Sequence, residues 1–328
     1  MHRTRRAAGR LAAGLLIAWT AAASTAPAVA QEAWPARPIR VIVPYPAGGT
    51  TDQLARAVQK PLQEFLGQPV VVENKAGAGG TIGTEQVVRA VADGYTLLFG
   101  NSGPNAIVPL LRKIPYDPER DLRPVSTVAI TPMILAVPVE SPARTLKEFV
   151  ALAKAAPNWN YGSVGNGSLS HLTGESFNAL AGTKLTHVAY NGGAPMMTAF
   201  ASGDLHMAFV TGLDGATMHQ AGRVRYLAVA TPQRSNVVPG LPAVAEEVPG
   251  FRSQAWFGLL APKGVPDAIV ARLQSAVAHA VSRAEFRRLC EDRQIEARSG
   301  SPDELEKLIR DEGAQWGALI RQAGIKVD

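Results

Sequence analysis

The sequence predicts an α/β fold of two lobes joined by a hinge, with a ligand cleft between them. Three observations predict it. Short β-branched strands alternate with segments of helical period, two extended runs are longer than one compact strand needs, and glycine-rich turns recur where strands meet helices. Repeated strand-helix-strand units require a largely parallel sheet with crossover helices. The composition, 46% hydrophobic with 31 Gly and 24 Pro, suits an ordered protein with many such turns.

The first thirty residues read as an export signal. Arg3, Arg5, Arg6 and Arg10 form a positive n-region, Leu11 to Ala22 is apolar apart from Thr20, and Ala28-Val29-Ala30 is a small-x-small cleavage site. Cleavage is expected after Ala30, by ordinary secretion rather than the twin-arginine route, because the residues behind Arg5-Arg6 are weakly apolar. No lipobox cysteine precedes the site, so a free protein outside the cytoplasm is expected. The chain carries 33 basic and 27 acidic residues, and removing the four leader arginines leaves 29 against 27, a net of +2. That balance leaves no basic stripe for nucleic acid, and no later uncharged run is long enough to span a membrane. The one cysteine, Cys290, cannot form an internal disulfide and is expected to pack in a C-terminal helix.

The remaining chain, about 300 residues, exceeds the usual size of one domain. Pro38 to Pro44 reads as a strand, and Asp52 to Leu66 as a helix with Leu54, Ala55, Val58, Leu62 and Phe65 on one face, ending at Gly67. A strand Pro69 to Glu73, a helix Ile82 to Val91, an Asp93-Gly94 turn and a strand Tyr95 to Phe99 follow. Val125 to Pro138 is a long extended run interrupted by Pro132, read as a crossing between lobes. A second series contains a helix with the capping box Thr145-Leu-Lys-Glu148, a strand Asn160 to Val164, a helix from Ser168, a strand Leu185 to Tyr190 and a helix from about Pro195. Strands Leu205 to Val210 and Val224 to Ala230 complete it, and Ala255 to Pro262 reads as a return crossing. Two helices finish the chain, one from Pro266 and one capped by Ser301-Pro-Asp-Glu304. The first lobe is therefore expected to be discontinuous, 31–130 plus 254–328, with 131–253 as the second.

Chemistry is expected in the loops. Pro44-Tyr-Pro-Ala-Gly-Gly-Thr-Thr-Asp52 joins a strand to a helix; Gly48 and Gly49 let backbone approach a ligand, and Thr50 or Thr51 can cap a helix whose free N–H groups favour an anion. The same residues also read as a tight turn with a helix cap, and Asp52 reads as an acid that either orients the loop, the favoured role, or meets a ligand amine. Gly77-Ala-Gly-Gly-Thr-Ile-Gly83 resembles a dinucleotide fingerprint but has Ile82 where the third glycine belongs, so no nucleotide cofactor is expected. In Tyr161-Gly-Ser-Val-Gly-Asn-Gly-Ser168, Ser168 can cap a helix and shares a face with His171 at i, i+3. A Ser168/His171 hydrolase is the enzyme alternative; no orienting acid accompanies the pair and the spacing is not G-x-S-x-G. His171, His187, His206 and His219 show no zinc-ligand spacing, so no metal is expected. Tyr190-Asn-Gly-Gly-Ala-Pro195 is another strand-to-helix loop, equally readable as a plain turn closed by Pro195.

These stretches closely resemble the periplasmic receptors of tripartite tricarboxylate transporters, the Bug family. The resemblance runs through WPARPIRVIVPYPAGGTTD, VVVENKAGAGGTIGTE, ADGYTLLFGNSG, YGSVGNGSLSHL, THVAYNGGAP, VRYLAVATPQRSNVVPGLPAVAEEVPGF and WFGLLAPKGVPDAIVARL. It implies a type II periplasmic-binding-protein fold, a periplasmic location and a non-catalytic, monomeric receptor. The implied ligand is a small carboxylate (di- or tricarboxylate, amino acid or aromatic acid), held by loop backbone and ordered water. It further implies transporter membrane subunits as partners, or a sensor kinase where receptors outnumber transporters. Carried across residue by residue, Pro46, Ala47, Gly48, Gly49, Thr50 and Asp52 match the first ligand loop, and Asn101 and Ser102 a pocket edge. Gly167, Ser168 and His171 match the second-lobe anion site, with Tyr190, Asn191 and Gly192 opposite and Thr211 and Asp214 along the pocket. The chain departs from the pattern at Met196-Met197-Thr198-Ala199-Phe200, where relatives carry an acid near Ala199.

Overall fold

A computed structural model describes residues 34–323 and 325. The expected leader and its cleavage site lie outside them.

The first lobe is built on a six-stranded sheet of order β11-β4-β10-β3-β1-β2. Strand β1 (Ile39–Val43) leads through a tight loop into α1 (Thr50–Leu66), then β2 (Val70–Asn74), α2 (Thr81–Val88) and β3 (Thr96–Asn101). Ile39, Val41, Ile42 and Val43 are buried, as β-branched residues in a strand covered on both faces should be. Helix α1 ends where Gly67 takes φ 73° and its N–H donates to the Gln63 carbonyl. Phe65, expected on its buried face, is 39% exposed: it sits at the helix end, where its ring leans on His279 at 5.4 Å instead of on the sheet. A π-helical turn Gly103–Ile107 runs into α3 (Val108–Leu111), and α4 (Pro118–Asp121) follows. The prolines that open these short turns hide them from a search for helical period.

The extended run from Val125 divides into β4 (Leu122–Pro132) and β5 (Ile134–Pro138), which belong to different sheets. The five-stranded second sheet has order β7-β6-β8-β5-β9. After β5 come α5 (Leu146–Ala155), β6 (Asn160–Ser163), α6 (Leu169–Ala181), β7 (Thr186–Ala189), α7 (Gly193–Ala201), β8 (Met207–Val210), α8 (Gly212–Gln220) and β9 (Val224–Val229). The capping box of α5 is formed: Glu148 N donates to Thr145 Oγ1, and Glu148 Oε2 accepts from Thr145 N. The chain then returns as β10 (Gln254–Pro262), continues through α9 (Asp267–Ser282), α10 (Ala284–Asp292) and β11 (Glu296–Ala297), and ends in α11 (Pro302–Ala323). Where one helix from Pro266 was expected, Arg283 is extended and breaks it in two. Cys290 is buried in the second piece, where burial pushes its thiol up to about 12.

Both sheets are mixed rather than largely parallel. Pairs β1-β2, β1-β3, β6-β7 and β6-β8 are parallel, whereas β10 pairs antiparallel with β3 and β4, and β5 antiparallel with β8 and β9. A strand that arrives from the other lobe enters from the opposite end, which reverses its direction. The two crossings are tied together: Ala230 N donates to Met133 O at 2.7 Å, and Ser253 N to Ala230 O at 2.6 Å.

Each sheet has its own core. In the first lobe Ile42, Leu98, Ile130, Trp256 and Leu260 pack with Leu305 and Ile309 of α11. Glu312 on that helix is buried and accepts from both Trp256 Nε1 (2.6 Å) and Trp316 Nε1 (3.2 Å), while desolvation pushes its carboxyl up to about 7. In the second, Ile134, Met196, Phe200, Val210 and Tyr226 form a cluster, and Phe177, Phe209 and Phe251 pack ring on ring.

Gly174 tests the packing of α6 on β6. Alanine in a helix interior is ordinarily better than glycine by about 0.5–1 kcal/mol. Here an added Cβ would lie 2.1 Å from the Tyr161 ring. That ring cannot swing freely, because Tyr161 Oη donates to Glu175 Oε1 at 2.5 Å. Gly174→Ala is therefore expected to destabilise the protein by about 1–3 kcal/mol, read as a lower urea midpoint. A raised midpoint would refute the packing argument.

Candidate functional site

Between the lobes lies a cavity of about 70 Å³, several times the roughly 10–15 Å³ that admits one water. Tyr45, Pro46, Gly49, Thr50, Thr51, Asn101, Ser102, Gly103, Ala255 and Phe257 wall it from the first lobe. Val164, Ser168, Leu169, Ser170, Gly192, Gly193, Phe209, Thr211 and Asp214 wall it from the second, with Met133 at the crossing. Among the described residues no lysine, arginine or histidine lines it, and the charged residue on its wall is Asp214.

The starts of α1, α6, α7 and α8 all reach this wall. Each leaves first-turn N–H groups without intrahelical partners, which gives the space a positive potential without a cationic side chain. Ser168 and Thr211 cap α6 and α8 by accepting from His171 N (3.3 Å) and Asp214 N (3.2 Å). Helices α1 and α7 begin behind Gly49 and Gly192, which have no capping side chain. The expected cap at Thr50 or Thr51 is thus not made: both lie inside the first turn and their hydroxyls go elsewhere. Thr50 Oγ1 meets Thr211 Oγ1 across the cleft at 2.5 Å, and Thr51 Oγ1 accepts from Asn101 Nδ2 at 3.0 Å.

Asp214 completes this clasp. Its Oδ1 accepts from Thr50 N at 3.2 Å and its Oδ2 from Thr211 Oγ1 at 3.1 Å. Burial raises its carboxyl above the usual range, against the pull of those donors. Gly193 is required beside it, since a Cβ there would stand 2.5 Å from Asp214 Oδ1.

Of the residues expected at a site, Pro46, Gly49, Thr50, Asn101, Ser102, Ser168, Gly192, Thr211 and Asp214 are brought together on this wall. Ser102 is buried, its hydroxyl close to Glu312 but outside hydrogen-bond geometry. Ala47 and Gly48 are exposed on the far side of their loop. Asp52 also faces away: it accepts from Gly48 N, Arg56 Nε and Asn74 Nδ2, each at 2.9 Å, and so orients the loop. Burial opposes its ionisation, but Arg56, Gly48 and Asn74 together hold its carboxyl below the usual range. Gly167 and His171 lie behind the wall, where Gly167 N donates to His171 Nδ1 at 3.1 Å. Tyr190 and Asn191 line an adjoining outer space rather than the inner one. Tyr45, Thr51, Val164 and Gly193 fall in the loops expected to carry chemistry without having been singled out as ligand residues, whereas Gly103, Met133, Leu169, Ser170, Phe209, Ala255 and Phe257 were not foreseen. Thr51 and Gly193 adjoin expected positions and Met133 falls within the crossing run, but nothing distinguishes Phe209 or Phe257 from core.

The Ser168 and His171 side chains do not form a dyad. The hydroxyl contacts His171's backbone N–H and Ser170 Oγ (3.1 Å), whereas the imidazole stacks on His187 at 3.8 Å. No group of three or more metal-ligating side chains occurs among the described residues.

The pattern of the tripartite tricarboxylate transporter family receptor matches residues 54–325. The chain belongs to this family. Protein BugT of Bordetella pertussis is 34% identical over 312 residues, covering 94% of this chain and 95% of BugT. A solved periplasmic transporter is similar at 36% identity and a TM-score of 0.86, over 90% of this chain and 100% of that one. An R. palustris protein solved with adipate shows 34% identity and a TM-score of 0.85, over 89% and 99% of the two chains. The receptor thus has the periplasmic binding protein fold, in a family of transporter receptors rather than enzymes.

The paired imidazoles give a pH prediction. Burial, and for His171 also the adjacent His187, pushes His171 down to about 3; burial pushes His187 down to about 4. In the unfolded chain both rings ionise near pH 6.5, so their contribution to stability is complete above about 6.5 and is withdrawn as pH falls toward 4. Their ring NMR signals are expected not to move between pH 8 and 5. The stability of His187→Phe relative to the parent should rise as pH is lowered from about 6.5 to 4.5; Glu312, shifted the other way, cancels in that difference. Titration of either ring near pH 6.5 would contradict the stacked, buried pair.

Proposed function

We propose that this receptor is exported to the periplasm by its arginine-rich leader, captures a small carboxylate in the cleft as a monomer, and delivers it to the membrane subunits of a tripartite transporter. The observation that carries the reading is the meeting of four helix starts around one cavity that has no cationic side chain. Unpaired N–H groups at helix starts are suited to an oxyanion, and they cost no desolvation of a buried arginine. Adipate in the R. palustris relative supports the ligand class. The first turns of α1, α6, α7 and α8 bring the backbone donors, apart from the Thr50 N–H that Asp214 holds; Ser168 and Thr211 bring their hydroxyls, Asn101 and Ser102 form the side edge, and Met133, Phe209 and Phe257 meet the ligand's hydrocarbon. Pro46 and Gly192 stand where the space opens outward, being shared with the outer space.

A panel of small acids tested by thermal shift on residues 31–328 should reveal a stabilising carboxylate. At 100 times its Kd a ligand of the folded state adds about 2.7 kcal/mol. Calorimetry should then give one site per chain. Ser168→Ala removes a cap and a hydroxyl from the wall and is expected to weaken binding about tenfold, with no turnover in parent or variant. Stabilisation by nucleotides or metals alone would overturn the assignment.

A further inference from the structure

The glycine-rich segment after β2 has no part in the inner cavity, yet it faces the other lobe. Ala76–Gly80 runs through left-handed or unusual conformations, with φ of 135° at Gly77, 47° at Ala78, 65° at Gly79 and 93° at Gly80. At Gly79 the reason is an approach across the cleft, since a Cβ would lie 2.7 Å from the Asn166 carbonyl oxygen of the second lobe. With Gly165–Asn166 and Ala189–Gly192 opposite, this segment encloses an outer space of about 530 Å³. It adjoins the inner cavity, because Tyr45, Pro46, Val164 and Gly192 line both.

The two spaces differ in charge. The inner one contains the Asp214 carboxylate and no cation, so a second negative charge placed there would meet repulsion. Among the described residues the outer one contains no acid, and its charged residue is Arg112. Arg112 Nη2 donates to Ala78 O at 2.7 Å, which fixes the guanidinium at the glycine loop. No carboxylate among the described residues forms an ion pair with it, and a guanidinium offers a planar fork of donors that matches a carboxylate.

We infer that the cleft has two compartments and that the outer one, formed by Ala76–Gly80 and Arg112, receives the far carboxylate of an elongated dicarboxylate whose near carboxylate sits at the helix starts. The inference rests on the receptor reading above and adds a determinant of ligand length and charge. A short diacid would hold both charges near Asp214. A longer one extends past Tyr45 and Val164 and places its second charge beside Arg112, under exposed, salt-screened conditions.

Calorimetry on the full mature chain separates the possibilities, with succinate, glutarate, adipate and suberate set against butyrate, valerate, hexanoate and octanoate. The longer dicarboxylates should bind more tightly than the monocarboxylates of equal length, by about fivefold at low salt, an advantage that shrinks as salt is raised. Arg112→Gln should reduce that ratio to near one. Equal or weaker binding of the diacids by the parent, or an equal loss for both series in Arg112→Gln, would overturn the two-compartment assignment while leaving the receptor reading intact. If no acid of either series binds, the two-compartment assignment fails, and the wider panel of acids in the thermal-shift test decides the receptor reading separately.

Discussion

The carboxylate of Asp214 is the point on which the closed cleft depends. Among the described residues it has no cationic partner, and the groups that satisfy it come from both lobes: the Thr50 N–H from the first, the Thr211 hydroxyl from the second. A buried acid left with half of those donors would be costly, so opening the lobes must be accompanied by water reaching Asp214. Gly193 and the Thr50–Thr211 contact serve the same junction, one by leaving room for the carboxylate and the other by extending the hydrogen-bonded chain.

The sheet order explains why so many helix starts meet here. Helices α1, α6, α7 and α8 each follow the carboxyl end of a strand. Strands β6, β7 and β8 run parallel, so their ends open on the same side of the second sheet. The antiparallel pair β4 and β10 carries the chain toward and away from that lobe side by side. Positive potential in the cleft is therefore a property of chain direction, secured before any side chain is chosen. What the side chains add is an apolar lining, a set of hydroxyls with one amide, and one acid.

Much of this was legible in the sequence, because strand-glycine-helix junctions have a local signature. The loops at Gly48-Gly49, Gly167-Ser168 and Gly192-Gly193 announce themselves by glycine and hydroxyl residues between a strand and a helix. The capping boxes at Thr145 and Ser301 are equally local, and both are formed. Orientation was less legible. Asp52 and Thr50 are two residues apart, yet one turns back on its own loop and the other reaches across the cleft. His171 sits one helical turn from a cavity residue but faces His187. The apolar wall was hidden for a different reason: Phe209 and Phe257 lie in strands where every neighbour is also buried, so their pattern is that of a core. The antiparallel pairing of the crossing strands was missed because direction within a sheet is decided by the lobe a strand comes from, which no short window of sequence records.

Met133 stands alone between the end of β4 at Pro132 and the start of β5 at Ile134, and it also lines the inner cavity. The second crossing is hydrogen-bonded to it through Ala230 and Ser253, so both passages between the halves meet at one cavity residue. A change of angle between the halves at that junction would therefore reshape the wall of the space they enclose.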